Sequence, residues 1–191
     1  MAVSQAIFLA IIAAIAVQRL AELVRSRAHI AALGRAGHMP VREPAFIAMT
    51  LVHTLVLVLS PLEVFAFDRP FVPAIGVPAF ALVVAAQFGR SWVFRTLQSA
   101  WNVRVVRPRA IVTGGPYRYV RHPNYLIVCV ELLCLPMIHF AWWTALAVTV
   151  ANALVLRSRI ALEESVLAEN PEWLASFRTI PRLIPLGRRA G

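Results

Sequence analysis

The chain has no lysine, only nine acidic residues and only two cysteines in 191 positions. Each shortage removes a class of protein. Charged residues make up 15% of the chain against 60% hydrophobic ones, well below the quarter or so of charge that a soluble domain carries. Cys129 and Cys134 lie in one apolar run at a spacing unsuited to a disulfide within a helix, and there is no second pair to complete a zinc site. The five histidines have no ligand-like spacing and no Asp or Cys cluster beside them, so no metal is expected. There is also no internal repeat of the kind transporters use, and no low-complexity tract.

What the chain does have is arginine and long apolar tracts. All 19 basic residues are arginine, and the net charge is +10. A nucleic-acid binder can be this basic, but it displays its arginines on a soluble, patchy surface. Here they fall in short clusters between apolar runs, the pattern of cytoplasmic loops, so nucleic acid is excluded as a partner.

Four tracts have roughly the 20 residues that a helix needs to cross a bilayer. They are Ala2 to about Gln18 with an amphipathic extension to Val24, Pro44 to Leu62, Phe71 to Gly89, and Pro123 to Leu156. The last holds 34 residues and one charge, Glu131, which suits two short helices joined by a tight turn. "LPMIHFAWW" offers that turn: Pro136 discourages helix continuation, and His139, Trp142 and Trp143 suit a bilayer interface. The expected fold is therefore all-α and polytopic, a single domain of about five transmembrane helices with the last two as a hairpin. Residues 1–100 form three N-terminal spans, and 101–191 hold a motif-bearing loop, the hairpin and a tail. The N-terminus lacks a basic leader and reads as a retained first span.

Arginine placement predicts orientation. Arg25, Arg27, Arg35 and Arg42 follow span 1, and seven arginines from Arg90 to Arg121 follow span 3. Arg178, Arg182, Arg188 and Arg189 lie in the tail, whereas the loop after span 2 has only Arg69 with Asp68. The N-terminus is then outside and the C-terminus cytoplasmic.

Ionisable groups within spans mark sites by default. Asn152, Arg159 and Glu163 fall seven and four residues apart, on one face of the last helix, with Glu164 beside them. Gln18 or Arg19, Glu22 and Ser26 form a similar face in span 1. For these, and for His53 and Glu63 of span 2, interhelical pairing is at least as good a reading as substrate contact. Glu131 has Arg121 or a span 1 arginine as plausible partner. The densest cluster is "GPYRYVRHPNYL", Gly115 to Leu126. His122, Asn124 and Tyr125 bring imidazole, amide and phenol to a helix start where free N–H groups gather, which suits a polar ligand held at the bilayer edge.

"GPYRYVRHPNYL" followed by "RIALEE" resembles the isoprenylcysteine carboxyl methyltransferase family of integral membrane enzymes. The resemblance covers Ile111 to Pro185, ending in a "PRLIP" stretch. "RLAEL", "LVH", Glu63, Asn124 and Glu131 resemble a bacterial branch that includes O-methyltransferases of long-chain alkylpyrones. The resemblance implies S-adenosylmethionine as donor, with a cytosolic loop and tail covering it. Carried over by position, Gly115, Tyr117, Arg121, His122, Pro123, Tyr125, Glu163 and Glu164 bind the donor, and Arg159, His122 and Asn152 are the candidate catalytic residues. The implied partner is a lipophilic acceptor with an ionised oxygen, entering from the bilayer of a bacterial cell membrane. Arg159 would orient that oxygen, and His122 would be the base if the acceptor were an amine. A phospholipid-type N-methyltransferase, or a small transporter or assembly protein, stand as alternatives. Oligomeric state is not legible.

Overall fold

The structure, a computed structural model, describes residues 3–35, 40–107 and 110–184. Arg109, Arg188 and Arg189, counted above as topology signals, and Pro185 at the end of the resemblance lie outside the described residues. Six α-helices follow in chain order: α1 (Val3–Arg35), α2 (Phe46–Ala66), α3 (Pro73–Leu97), α4 (Pro123–Met137), α5 (Trp142–Leu167) and α6 (Pro171–Phe177). Short 3-10 turns cover Gln98–Ala100 and Gly115–Arg118, and no strand occurs among the described residues. The protein is an all-α, polytopic membrane protein. Leu51, Leu55, Val58 and Leu62 of α2, like Val17 and Val24 of α1, lie exposed on the outside of the bundle, as lipid-facing side chains do.

Of the five expected crossings, four helices have spanning length and apolarity: α1, α2, α3 and α5. The difference is α4, whose 15 residues reach only about 22 Å. Its surroundings explain the shortness. Tyr125, Ile127, Val128, Glu131, Leu132, Cys134 and Leu135 are all buried, so protein rather than lipid encloses most of α4. A helix sheathed by its neighbours has no hydrocarbon thickness to match.

The α4–α5 hairpin forms where expected, with Pro136 inside the last turn of α4. The chain reverses through Phe140, at φ 56°, and Ala141 N donates back to Pro136 O at 3.0 Å. His139 is not at an interface. It is 2% exposed, with Nδ1 donating to Arg69 O at 3.0 Å and Nε2 at 3.2 Å from Ser4 Oγ. The turn thereby gathers the start of α1 and the α2–α3 loop. Glu63, out of place in the sequence, has a structural task there. Its carboxylate accepts from Trp143 N (3.2 Å), Thr144 N (2.7 Å) and Thr144 Oγ1 (2.8 Å), and pairs with Arg69 at 2.9 Å. It satisfies the free donors at the start of α5 from another helix.

α3 and α4 pack closely because small residues face the contact. A side chain on Gly76 would strike Ile138 O and Phe71, and one on Gly89 would press on Ile127. α1 is held differently. Arg19 pairs with Glu22 at 2.9 Å and with Glu131 of α4. Arg90 of α3, only 1% exposed, also pairs with Glu131 and approaches Glu22 and Asn124 at 3.5 Å. Gln87 donates to Glu131 at 2.7 Å. The span 1 arginine is thus one partner of Glu131, and Arg121 is not. Arg90 lies inside the bundle and not in the loop after span 3, because its helix continues to Leu97.

The helices alternate in direction. Ser4 of α1 lies by the hairpin turn, whereas Arg182 of the tail reaches Glu164 near the end of α5. The two ends of the described chain therefore lie at opposite ends of the bundle.

Candidate active site

The motif folds as two linked turns. Gly115 has φ +59°, and a side chain there would run into Thr96, so glycine serves both conformation and close approach to α3. Pro116 and Pro123 then sit at the first positions of the 3-10 turn and of α4, where a missing N–H costs nothing. His122 is the residue before α4 and is buried. The tail binds this segment through its backbone: Arg121 N donates to Pro181 O at 2.8 Å and His122 N to Arg182 O at 3.0 Å. Arg121 Nε donates to Ile180 O at 2.7 Å, and Arg182 grips Glu164 at 2.7 Å.

Beneath loop and tail lies a cavity of ≈ 820 Å³. Near the loop its wall is Tyr117, Arg121, His122, Tyr125, Arg159 and Glu163, with Trp173 and Phe177 of α6 over it. Deeper in the bundle the wall changes to Ala16, Arg19, Leu20, Met49, His53, Leu57, Arg90 and Val128. One chamber thus joins a polar, aromatic mouth to a largely apolar interior with a few charges.

His122 stands between two carboxylates, Nδ1 at 3.5 Å from Glu163 and Nε2 at 3.2 Å from Glu164. Burial opposes its protonation most strongly, but the hydrogen bonds and charges of Glu163 and Glu164 together outweigh it, and its pKa is raised. Burial, with Glu163 adding to it, raises the pKa of the Tyr117 phenol, which stays protonated. Tyr125 stacks on His122 with ring centroids 5.3 Å apart and donates its hydroxyl hydrogen to Glu163.

Arg159 is buried, with its Cζ 5.6 Å from the Tyr125 ring centroid. Its Nη2 donates to Val103 O at 2.8 Å, and its Nη1 touches Met49 Sδ and lies 2.9 Å from Glu43 Oε1. That last pair is close without hydrogen-bond alignment, since Glu43 Oε1 and Arg159 Nε are both buried with no hydrogen-bond partner. Glu43 Oε2 accepts from Val105 N at 3.3 Å. The guanidinium is therefore held by three groups and retains one N–H without a partner.

The structure brings Tyr117, Arg121, His122, Tyr125, Arg159 and Glu163 to the cavity wall. Gly115 and Pro123 shape the backbone behind it, and Glu164 stands one layer back, engaged by His122, Arg121 and Arg182. Asn152 does not reach the cavity. It is buried against α4, with Nδ2 3.7 Å from Cys129 Sγ, so α4 rather than the chamber covers it. Sequence reasoning missed Glu43 altogether. Its only signal was an acid wedged between Arg42 and Pro44, just before an apolar run.

Fold and site together define a class: a polytopic helical membrane protein with a deep cavity closed at one end by an ordered loop and tail. Residues 79–169 match the isoprenylcysteine carboxyl methyltransferase (ICMT) family, a family of membrane methyltransferases. The matched stretch runs from α3 through α5 and contains the whole motif, Arg159, Glu163 and Glu164, so the resemblance read from those residues holds at family level. The chain is also 29% identical to the uncharacterized protein YpbQ of Bacillus subtilis (strain 168) over 165 residues, which cover 85% of this chain and 97% of that protein.

Proposed function

We propose that the protein is an S-adenosylmethionine-dependent methyltransferase acting on an oxygen of a lipophilic acceptor. The observation that carries this reading is the single chamber beneath loop and tail, with a polar, aromatic mouth and an apolar depth. When bound, the donor supplies an electrophilic methyl group. At the mouth, the half-buried Glu163 carboxylate suits an ammonium group, and the faces of Tyr117 and Tyr125 suit a sulfonium. Carboxylate and ring are arranged to hold positive charge without a strong nucleophile beside it. Loop residues and α6 line the mouth of the chamber, which suits alignment-driven methyl transfer, a reaction that needs a positioned, shielded donor more than it needs a metal. Arg159, which lines the chamber and keeps an unpartnered Nε–H, suits the reacting oxygen. The arginine pattern supports a cytoplasmic loop end, with the N-terminus outside, in a bacterial cell membrane.

The acceptor's tail would lie among Leu20, Leu57 and Val128 and reach lipid between helices. The test is titration calorimetry of the purified protein in detergent with S-adenosylmethionine, followed by labelled methyl transfer into lipid extract. Saturable donor binding and a labelled lipophilic product are expected. No donor binding by folded protein would leave a transporter or assembly role as the better reading. Arg159→Ala should keep donor affinity and lower turnover, with Arg159→Lys recovering only part, because a point charge lacks the guanidinium fork. Shortening the acceptor's chain should weaken binding by roughly 0.8 kcal/mol per buried methylene. Equal reaction of short, water-soluble analogues would exclude entry from the bilayer.

A further inference from the structure

Two histidines of the chamber are held in opposite ways. Both nitrogens of His122 face carboxylates, and a ring between two acceptors keeps a hydrogen on each nitrogen. It has no lone pair for a substrate proton, which removes the base that the sequence had suggested. His53 of α2 has its Nδ1 2.8 Å from the carbonyl oxygen of Met49, one turn earlier. A carbonyl only accepts, so Nδ1 carries the hydrogen, and in the neutral ring the lone pair is on Nε2. This ring lines the chamber.

Its position matters as much as its tautomer. Met49 touches Arg159, and four residues of helix rise about 6 Å. His53 therefore lies about one turn deeper than Arg159, on the side where the wall turns apolar. His29 also donates Nδ1 to a carbonyl, that of Trp101 at 2.8 Å, but it stands beside the loop, on the donor's side of Arg159. Arg159 Nε is a buried N–H without a protein partner. Its charge is already balanced by Glu43, so an anionic acceptor would meet no net positive charge there.

We propose that His53 is the general base for a neutral, weakly acidic hydroxyl of the acceptor, phenolic or enolic, whose oxygen is held by Arg159 Nε. This deepens the methyltransferase reading and rests on it. The hydroxyl hydrogen passes to Nε2 of His53, and the oxygen's electron pair forms the new O–CH₃ bond. The donor's sulfur–methyl bond breaks with its electron pair left on sulfur, and the imidazolium later returns its proton to water. The charged groups around the ring are Arg19 and Glu22 of α1, Arg90 of α3, Glu131 of α4 and Arg159 of α5; paired with one another and with Glu43, they sum to zero.

The experiment uses full-length protein in detergent and two probes, a long-chain alkylphenol and the same compound with a nitro group beside the hydroxyl. His53→Asn retains an N–H for Met49 O but loses the base; His53→Gln is the second variant should Asn fold poorly. Without donor, absorbance of the bound nitrophenol reads its ionisation directly, and the variant should raise its midpoint by roughly one pH unit or more. With donor at a pH where the nitrophenol is ionised, the variant should lose on the order of 100-fold in turnover of the plain phenol and little with the nitrophenol. Donor affinity should not change. Equal losses on both probes, no loss on either, or a wild-type protein that binds donor yet methylates neither phenol would overturn the assignment. Failure of wild-type protein to bind donor would instead overturn the underlying methyltransferase reading.

Discussion

The bundle buries two groups of charged side chains, and their bonding differs. In the first, Arg19, Glu22, Gln87, Arg90, Asn124 and Glu131 spend nearly all their hydrogen-bonding capacity on one another across α1, α3 and α4, although Arg19, Glu22, Arg90 and Asn124 also border the chamber. In the second, around His122, Tyr125, Arg159 and Glu163, the side chains are anchored from behind and keep free atoms or faces toward a cavity. Intramembrane charge alone does not distinguish a tether from a site, because both groups are costly to bury and both need partners. What separates them is where unused valence is left. A network that spends its valence on itself fixes helices even where it borders the chamber; one that leaves valence unused is prepared for a ligand.

Breaking the closed network should have the largest effect. Glu131→Ala leaves Arg19 and Arg90 facing each other without their shared carboxylate, and losing one partner of a buried pair costs about 3–5 kcal/mol. Thermal unfolding in detergent should show a large drop, with α1 loosened and recovery only in variants that also neutralise Arg90. Disturbing the open network should spare the fold and strike binding. Glu163→Gln should weaken donor affinity by about 1.5–3 kcal/mol, the range of a hydrogen bond to a charged group, while the unfolding midpoint moves little. Calorimetry giving unchanged affinity in a well-folded variant would remove Glu163 from the donor site.

Smaller effects sharpen the same contrast. Gly115→Ala combines a left-handed backbone with a collision at Thr96, and should cost about 1–2 kcal/mol through displacement of the loop. The cost should fall when Thr96 is replaced by glycine as well. His122 supplies a pH test. Its pKa in the fold is raised above the ordinary 6.5, so its contribution to stability is full below that value and is lost as pH rises through the folded value. The unfolding midpoint should decline over that window in the wild type, and His122→Gln should flatten the decline. Smallest of all is the exposed Arg107–Glu169 pair at 3.0 Å, where Glu169→Ala should leave stability and donor affinity unchanged.

Much of this was legible along the chain because the relevant patterns are local. Apolar run length marks the spans, and a 34-residue tract with one charge implied the hairpin. The order of Gly115, Tyr117, His122, Pro123 and Tyr125 announced the loop that borders the cavity. Patterns on a helix face were less reliable. Asn152 shares a face with Arg159 and Glu163, yet it packs against Cys129 of α4 and not on the cavity, since helical periodicity gives a direction and not the neighbour found there. Arg90 read as a loop charge because hydropathy falls before its helix ends. Glu43, fully buried against Arg159, lay in a stretch with no pattern at all.

Composition, tract length and the spacing of one polar motif were enough to determine a polytopic helical membrane protein, the hairpin and the neighbourhood of the site, because each is a property of residues close in the chain. Only the tertiary structure decided that α4 is a short enclosed helix and that Glu131 serves Arg19 and Arg90. It also decided that Glu43 balances Arg159 and that His53 lines the chamber with its Nδ1 against the Met49 carbonyl. Those outcomes join residues tens of positions apart, and the pairing of buried charges depends on which helices meet and at what depth, which no local pattern encodes.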